Sequence, residues 1–146
     1  MGLFTAVVVS YDGGFGAHAA VYTSRGSEGG PALYDPAGDY AYSHGGGESD
    51  VVSGTDANLP GYIDYHMQAD DSVAMYYFQT TQAEEEQIIK NALDLPYAPP
   101  GTCSKRTSTA IHGVGPFKSI DPTYFPGSLA SQLSYLPSVW SFYYTK

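Results

Sequence analysis

Leu95-Pro96-Tyr97-Ala98-Pro99-Pro100-Gly101-Thr102-Cys103-Ser104 is the stretch from which the rest of this sequence is best read. Two prolines and a glycine end whatever element comes before. A helical run over residues 103–111 then begins at the thiol. A cysteine in the first turn of a helix feels the positive end of the aligned peptide dipoles, and that favours thiolate. Cys103 is also the single cysteine of the chain. Far upstream, His18 sits in Gly16-Ala17-His18-Ala19-Ala20-Val21-Tyr22-Thr23, which reads as a strand. A helix-start thiol and a strand histidine are the two parts of a nucleophile–base pair.

Composition narrows what surrounds that pair. The chain has 146 residues, 42% of them apolar and 14% aromatic, which suits one folded domain over residues 1–146 and not a disordered chain. Its 17 glycines and 10 prolines predict short elements and many turns. A formal net charge of -9 with six Lys plus Arg argues against a nucleic-acid backbone or an anionic membrane as partner. One cysteine excludes an internal disulfide and a multi-cysteine zinc site, and no metal or cofactor is expected. The start, Met1-Gly2-Leu3-Phe4-Thr5, has no basic n-region, so the chain reads as made in the cytoplasm without a signal peptide. No run approaches the roughly 20 apolar residues that span a bilayer.

Along the chain, residues 4–11 and 17–23 read as a hairpin joined by turn material at residues 12–16. Alternation puts His18, Ala20 and Tyr22 on one face, and Ala19, Val21 and Thr23 on the other. Residues 24–31 read as a polar turn, and residues 32–35 as a short third strand stopped by Pro36. The Gly-rich, acidic residues 38–60 read as a long surface loop, and residues 61–68 as a short helix. Residues 72–80 alternate as a strand. The clearest helix spans residues 82–93, with Thr81 and Glu84 at capping-box spacing. Its expected apolar stripe is Ile88, Ile89, Ala92 and Leu93, with Glu86 and Lys90 paired outside. Residues 128–136 predict a further helix, and residues 138–144 a final strand. The order predicts an α+β fold.

Among four histidines, His112 ends the cysteine helix, roughly 13 Å from the thiol at about 1.5 Å per residue, beyond contact. His44 and His66 fit plain surface positions. His18 is left as the base, against the alternative of an ordinary strand histidine. Asp35 ends the strand that follows the His18 strand, so antiparallel pairing could join the two side chains. A turn carboxylate explains it equally well, and Asp12 and Asp39 are weaker candidates. The glycine runs at residues 13–16 and 45–47 lack the Lys-Ser/Thr of a phosphate loop. If Cys103 is instead a small buried apolar residue, the chain is a non-catalytic binding module.

The run over residues 83–104 resembles the start of an NlpC-type or CHAP-type papain-like peptidase: an amphipathic helix, Pro96-Tyr97, Gly101, then Cys103-Ser104 at a helix start. It departs from that pattern at Thr102, where Asp or Asn is usual, and at Lys105-Arg106, where small residues follow. In that family the histidine follows the cysteine. Here His18 precedes it, and the order resembles the circularly permuted branch. Members of that branch, which include lecithin:retinol-acyltransferase-like proteins and toxin domains of bacterial RHS and secretion proteins, carry a His-x-x-aliphatic-Tyr strand first. His18-Ala19-Ala20-Val21-Tyr22 fits, and residues 32–38 are similar to the strand and turn that follow it. The resemblance implies an antiparallel sheet packed against a helix that carries the nucleophile. It implies Cys103 as nucleophile, His18 as base, Asp35 as third member, and Tyr97 and Ser104 near the oxyanion or substrate. It also implies an amidase or endopeptidase acting on a peptidoglycan peptide, delivered as an antibacterial effector to a target periplasm, with an immunity protein as partner. A protease, deamidase or acyltransferase acting on protein or lipid is the other enzymatic reading.

Overall fold

Ala6, Val7, Val8 and Val9 are buried on both faces, so the strand that carries them is a continuous apolar run at the centre of a sheet. The computed structural model describes residues 2–12, 15–137 and 139–146. This central strand, β1 (Phe4–Asp12), pairs with β2 (Phe15–Ser27) on one side and β5 (Ser72–Gln79) on the other. β3 (Gly30–Tyr34) and β4 (Val51–Ser53) continue beyond β2, and β6 (Trp140–Thr145) continues beyond β5. The six strands form one antiparallel sheet in the order β4-β3-β2-β1-β5-β6, and with its helices the protein is α+β.

Strand alternation sorts two cores. Val7, Val9, Ala19, Val21, Ala74, Tyr76 and Phe78 meet α3 (Gln82–Asp94), α4 (Cys103–Ile111) and α5 (Pro126–Ser134). Ala6, Val8, Ala20, Val73 and Met75 meet α1 (Asp39–Ser43) and α2 (Leu59–Ala69). Both faces of the sheet are therefore covered by helices.

The expected capping box of α3 is present, with Thr81 and Glu84 satisfying each other's main-chain N–H groups. Two details of that helix differ from expectation. Leu93 is exposed, because the buried stripe is Glu85, Ile88, Ile89 and Ala92. Lys90 pairs with Asp94 at 3.0 Å, while Glu86 accepts from Gln82. Buried Glu85 accepts from Ser24 Oγ, Arg25 N–H and Thr80 Oγ1, tying α3 to β2 and to the end of β5.

The turn expected over residues 24–31 is tighter than composition suggests. Glu28 and Gly29 both have positive φ, which is the two-residue hairpin turn that matches strand twist. Residues 38–60 are no structureless loop. They hold α1, β4, two 3₁₀ turns and the first two residues of α2, and they bury Tyr40, Ala41, Val52, Ala57 and Leu59. Gly13 and Gly14 of the expected first turn, and Ser138 of the expected last strand, lie outside the described residues. Among the described residues, no helix is long and apolar enough to cross a membrane.

Candidate active site

Unequal strand lengths create the place for Cys103. β2 runs for 13 residues and β3 for five, and their pairing starts at Val21 opposite Tyr34. Earlier in β2, the outward-facing carbonyls have no strand partner on that side. α4 lies along this edge. Thr107 Oγ1 donates to Ala19 O at 3.1 Å, and the Cys103 thiol, one helical turn earlier, faces Ala17 O at 3.8 Å.

The start of α4 is set by a β-turn over Pro99, Pro100, Gly101 and Thr102. Pro100 presets the second position, Gly101 takes φ +87°, and Thr102 N–H closes on Pro99 O at 3.2 Å. Thr102 does not cap the helix with its side chain. Its hydroxyl donates instead to Pro99 O at 2.6 Å. The first N–H groups of α4 therefore have neither an intrahelical acceptor nor that side-chain cap.

His18 stands opposite Ser10 on β2, and Asp35 is the first residue after β3. His18 Nε2 hydrogen-bonds Asp35 Oδ1. Asp35 is wholly buried, and the turn around it is built to hold its carboxylate. Ala41 N–H donates to Oδ2 at 3.1 Å and Tyr62 Oη to Oδ1 at 3.1 Å. Asp35 N–H reaches Asp50 O, and the Asp50 carboxylate takes Ala37 N–H at 2.9 Å. Ala37 and Asp50 both adopt positive φ, a strain of about 1 kcal/mol each concentrated where the carboxylate is aimed. Gly38 is required at its position, because a Cβ there would fall inside the Asp35 carboxylate.

With Nε2 committed to Asp35, Nδ1 is the ring nitrogen left for the sulfur, and Cys103 and His18 are near enough for each to shift the other's pKa. The charges follow from that chain. Burial opposes an imidazolium on His18, but Asp35 and the sulfur outweigh it and push the pKa from 6.5 up to about 10. Burial raises the Cys103 pKa, but His18 and the main-chain N–H groups of Ala19 and Ser104 outweigh it, and the thiol lies below its ordinary value. Burial also opposes a charged Asp35, and His18 more than compensates, leaving it below the usual carboxylate range. All three shifts favour the charged forms: thiolate, imidazolium and carboxylate.

Cys103 is 7% exposed and the His18 side chain 16% exposed, so the pair is largely sheltered from solvent. Tyr97 is not part of it in the way expected. Its side chain is 62% exposed and makes no hydrogen bond among the described residues, while its carbonyl receives Arg106. Ser104 contributes through its main-chain N–H. Its hydroxyl is buried, unpaired among the described residues and out of reach of a ligand in solution. Asp12 and Asp39, the weaker candidates for third member, make no bond to His18. His112 caps the far end of α4 and bonds Ile120 O. Among the described residues, no group of three His, Cys, Asp or Glu is arranged to hold a metal ion.

Two residues of the site escape sequence reasoning. Tyr62 and His66 lie four apart on one face of α2. Tyr62 holds Asp35, and the His66 ring stacks on His18 with centroids 5.6 Å apart and planes 19° apart. The i,i+4 spacing of two aromatic rings is the signal that could have found them, once α2 was known to cover the His18 face. Comparison of this chain with protein families, curated proteins and solved structures finds no match in any of the three.

Proposed function

We propose that this chain is a cysteine hydrolase of circularly permuted, NlpC-type papain-like architecture that cleaves an amide bond. The observation that carries the proposal is the junction of Cys103, His18 and Asp35, which come from α4, β2 and the turn after β3. A buried filler cysteine needs no histidine, and a strand histidine needs no fully buried carboxylate. The three together are what a thiol needs to be ionised and oriented.

In the reaction, the Cys103 thiolate attacks the substrate carbonyl carbon. The carbonyl π electrons move to oxygen, and main-chain N–H groups at the start of α4 are in place to receive that charge. The oxyanion collapses, the C–N bond breaks, and the His18 imidazolium gives its proton to the leaving amine. The product is an acyl thioester on Cys103. A water molecule attacks it, neutral His18 takes the water's proton, and the acid leaves as thiolate re-forms. Asp35 acts through His18, by fixing its ring and stabilising its charge.

The substrate we favour is a peptide amide of bacterial peptidoglycan, with the protein acting as an effector toxin in a target periplasm. An immunity protein is then its expected partner. The support is the resemblance of residues 83–104 to the start of an NlpC-type or CHAP-type domain and of residues 18–22 and 32–38 to permuted toxin domains, together with a net charge of -9 that argues against nucleic acid. The test is incubation of purified muropeptides with the wild type and with Cys103→Ala, read by mass spectrometry. Cleavage by the wild type alone supports the reading. Turnover of peptide or ester substrates without muropeptide cleavage moves the substrate to protein or lipid. A Cys103 that resists iodoacetamide in the folded protein overturns the hydrolase reading.

A further inference from the structure

α2 brings more to the His18–Asp35 pair than packing. Tyr62 Oη donates to the same Asp35 oxygen that binds His18 Nε2. One turn later the His66 ring lies nearly parallel to the His18 ring, at a 19° angle. His66 is itself fixed. It is 8% exposed, its Nδ1–H donates to Asp70 Oδ2 at 2.5 Å, and Tyr62 and Tyr65 meet it edge-on at 4.7 and 5.1 Å. The proposed reaction has no use for a second histidine, and a simple apolar side chain would fill the same volume. A ring held by Asp70 and set nearly parallel to the base, with centroids 5.6 Å apart, offers an oriented partner that an aliphatic group does not.

We propose that His66, held by Asp70, is a positioning residue. Its ring fixes the plane of the His18 imidazole, so that Nε2 bonds Asp35 while Nδ1 faces the Cys103 sulfur. The proposal rests on the hydrolase reading for its consequence, and on geometry alone for its content. An imidazole on a strand has a broad second side-chain torsion. The Asp35 bond fixes one ring atom but leaves the ring free to rock about it. A flat neighbour against one face removes that freedom. The groups that face His66 are His18 from β2, Asp35 from the end of β3, and Asp70, Tyr62 and Tyr65 from α2 and its C-terminus. His18 carries the charge in the resting state, so His66 serves as the neutral partner of the stack. Burial and the His18 charge both work against protonation of His66 and outweigh its bond to Asp70.

The test compares His66→Ala, which removes the platform, with His66→Phe, which keeps a flat ring and loses the Asp70 bond. Two readouts are taken on each folded protein. The first is the pH profile of Cys103 alkylation by iodoacetamide. The second is the NMR signature of the His18 ring, where the proton shared with Asp35 is followed directly. A small misplacement of a base can cost on the order of 100-fold, so His66→Ala should slow alkylation at pH 6.5 by about 10-fold or more, and His66→Phe should recover most of it. The shared His18–Asp35 proton should broaden or vanish in His66→Ala and return in His66→Phe. If His66→Ala folds with both readouts as in the wild type, the positioning role is overturned. It is also overturned if Phe fails to rescue either readout while Ala and Phe are equally stable to urea. If the wild-type thiol shows no enhanced alkylation, the hydrolase reading fails by itself, and the NMR comparison still decides the role of His66.

Discussion

Asp35→Asn keeps the shape of the third member and removes its charge, and its consequences can be worked from the site. The carboxylate and the sulfur together raise the His18 pKa from 6.5 to about 10. At about 1.4 kcal/mol per unit, that is a preference of about 5 kcal/mol for imidazolium, shared between the two partners. Once Asp35 is neutral, burial of the ring becomes the dominant influence, and His18 loses its proton near neutrality. The thiol then loses the imidazolium that lowers it and returns toward its ordinary value of 9.0. A thiol of that kind is only a few per cent thiolate at pH 7, and the paired one, lowered by His18, is ionised to a greater extent. The gain in intrinsic nucleophilicity that accompanies a higher pKa offsets part of the loss. The expected net effect is a roughly 10-fold slower alkylation at pH 7, with the profile midpoint moved upward.

The assay is a series of iodoacetamide rate constants between pH 5 and 10, read by intact-protein mass. Stability is followed by urea in the same series. Breaking a buried charge pair by deletion costs about 3–5 kcal/mol, and Asn, which keeps some hydrogen bonds, should cost about 1–3 kcal/mol. The pH dependence has a definite sign. His18 is raised on folding, so its contribution is complete below pH 6.5 and is lost as pH climbs through about 10. Asp35 is lowered on folding, so its contribution is present above pH 3.8 and is lost as pH falls through its folded value. The gap between wild type and Asp35→Asn should be widest between those two limits and narrow on both sides. A folded Asp35→Asn protein that keeps the wild-type alkylation midpoint would refute this account of the site.

Hydrolysis by the wild type should follow a bell-shaped pH profile. Its acid limb reflects Cys103 below the ordinary thiol value, and its alkaline limb, near pH 10, reflects loss of the His18 proton. Steady-state rates across pH 5–11 check it, and a single rising limb centred near 9 would contradict an ion pair. Gly38→Ala puts a methyl group into the Asp35 carboxylate. It should cost about 1–3 kcal/mol in urea and slow Cys103 alkylation as well, because the carboxylate must move. Glu85→Gln weakens a buried acceptor of three donors and should cost about 1–3 kcal/mol. Glu85 lies away from the thiol, so the alkylation midpoint of that variant should match the wild type, and a shifted midpoint would show the two regions coupled.

Much of the sheet is legible in the sequence because its information is local. The faces of β2 and β5 follow from alternation, and the boundaries of α4 follow from Pro100, Gly101 and the run that ends at His112. The junction of His18 with Asp35 is also nearly local, since consecutive antiparallel strands must place their ends together. Three features were beyond such reading. α1 and β4 lie in residues whose glycines and acids read as loop. Their few apolar residues, Tyr40, Ala41 and Val52, fold because the sheet offers them a surface. Leu93 continues a helical stripe by spacing, yet the core beneath α3 ends before it and buried Glu85 sits at the other end instead. Tyr62 and His66 reach the site only through the path of the chain between β4 and α2, and no period or motif encodes that path.

Cys103 and Asp35 owe their places to one event. Pro36 cannot donate to a ladder, so β3 stops at Tyr34 and the chain turns under β2. Extended past Tyr34, the β2–β3 register would set Asp35 opposite Ala20, on the face that His18 shares, and its carboxylate reaches His18 from there. The same stop leaves the Ala17 and Ala19 carbonyls of β2 without a strand partner on that side. α4 lies along that open edge, where Thr107 Oγ1 donates to Ala19 O and the Cys103 sulfur lies 3.8 Å from Ala17 O. Had β3 continued for four more residues, its own N–H groups would have taken those carbonyls and closed the edge to α4. The carboxylate that orients the base and the slot that receives the thiol are therefore two consequences of a short strand. This explains how residues 85 positions apart come to lie together without any motif that spans the interval.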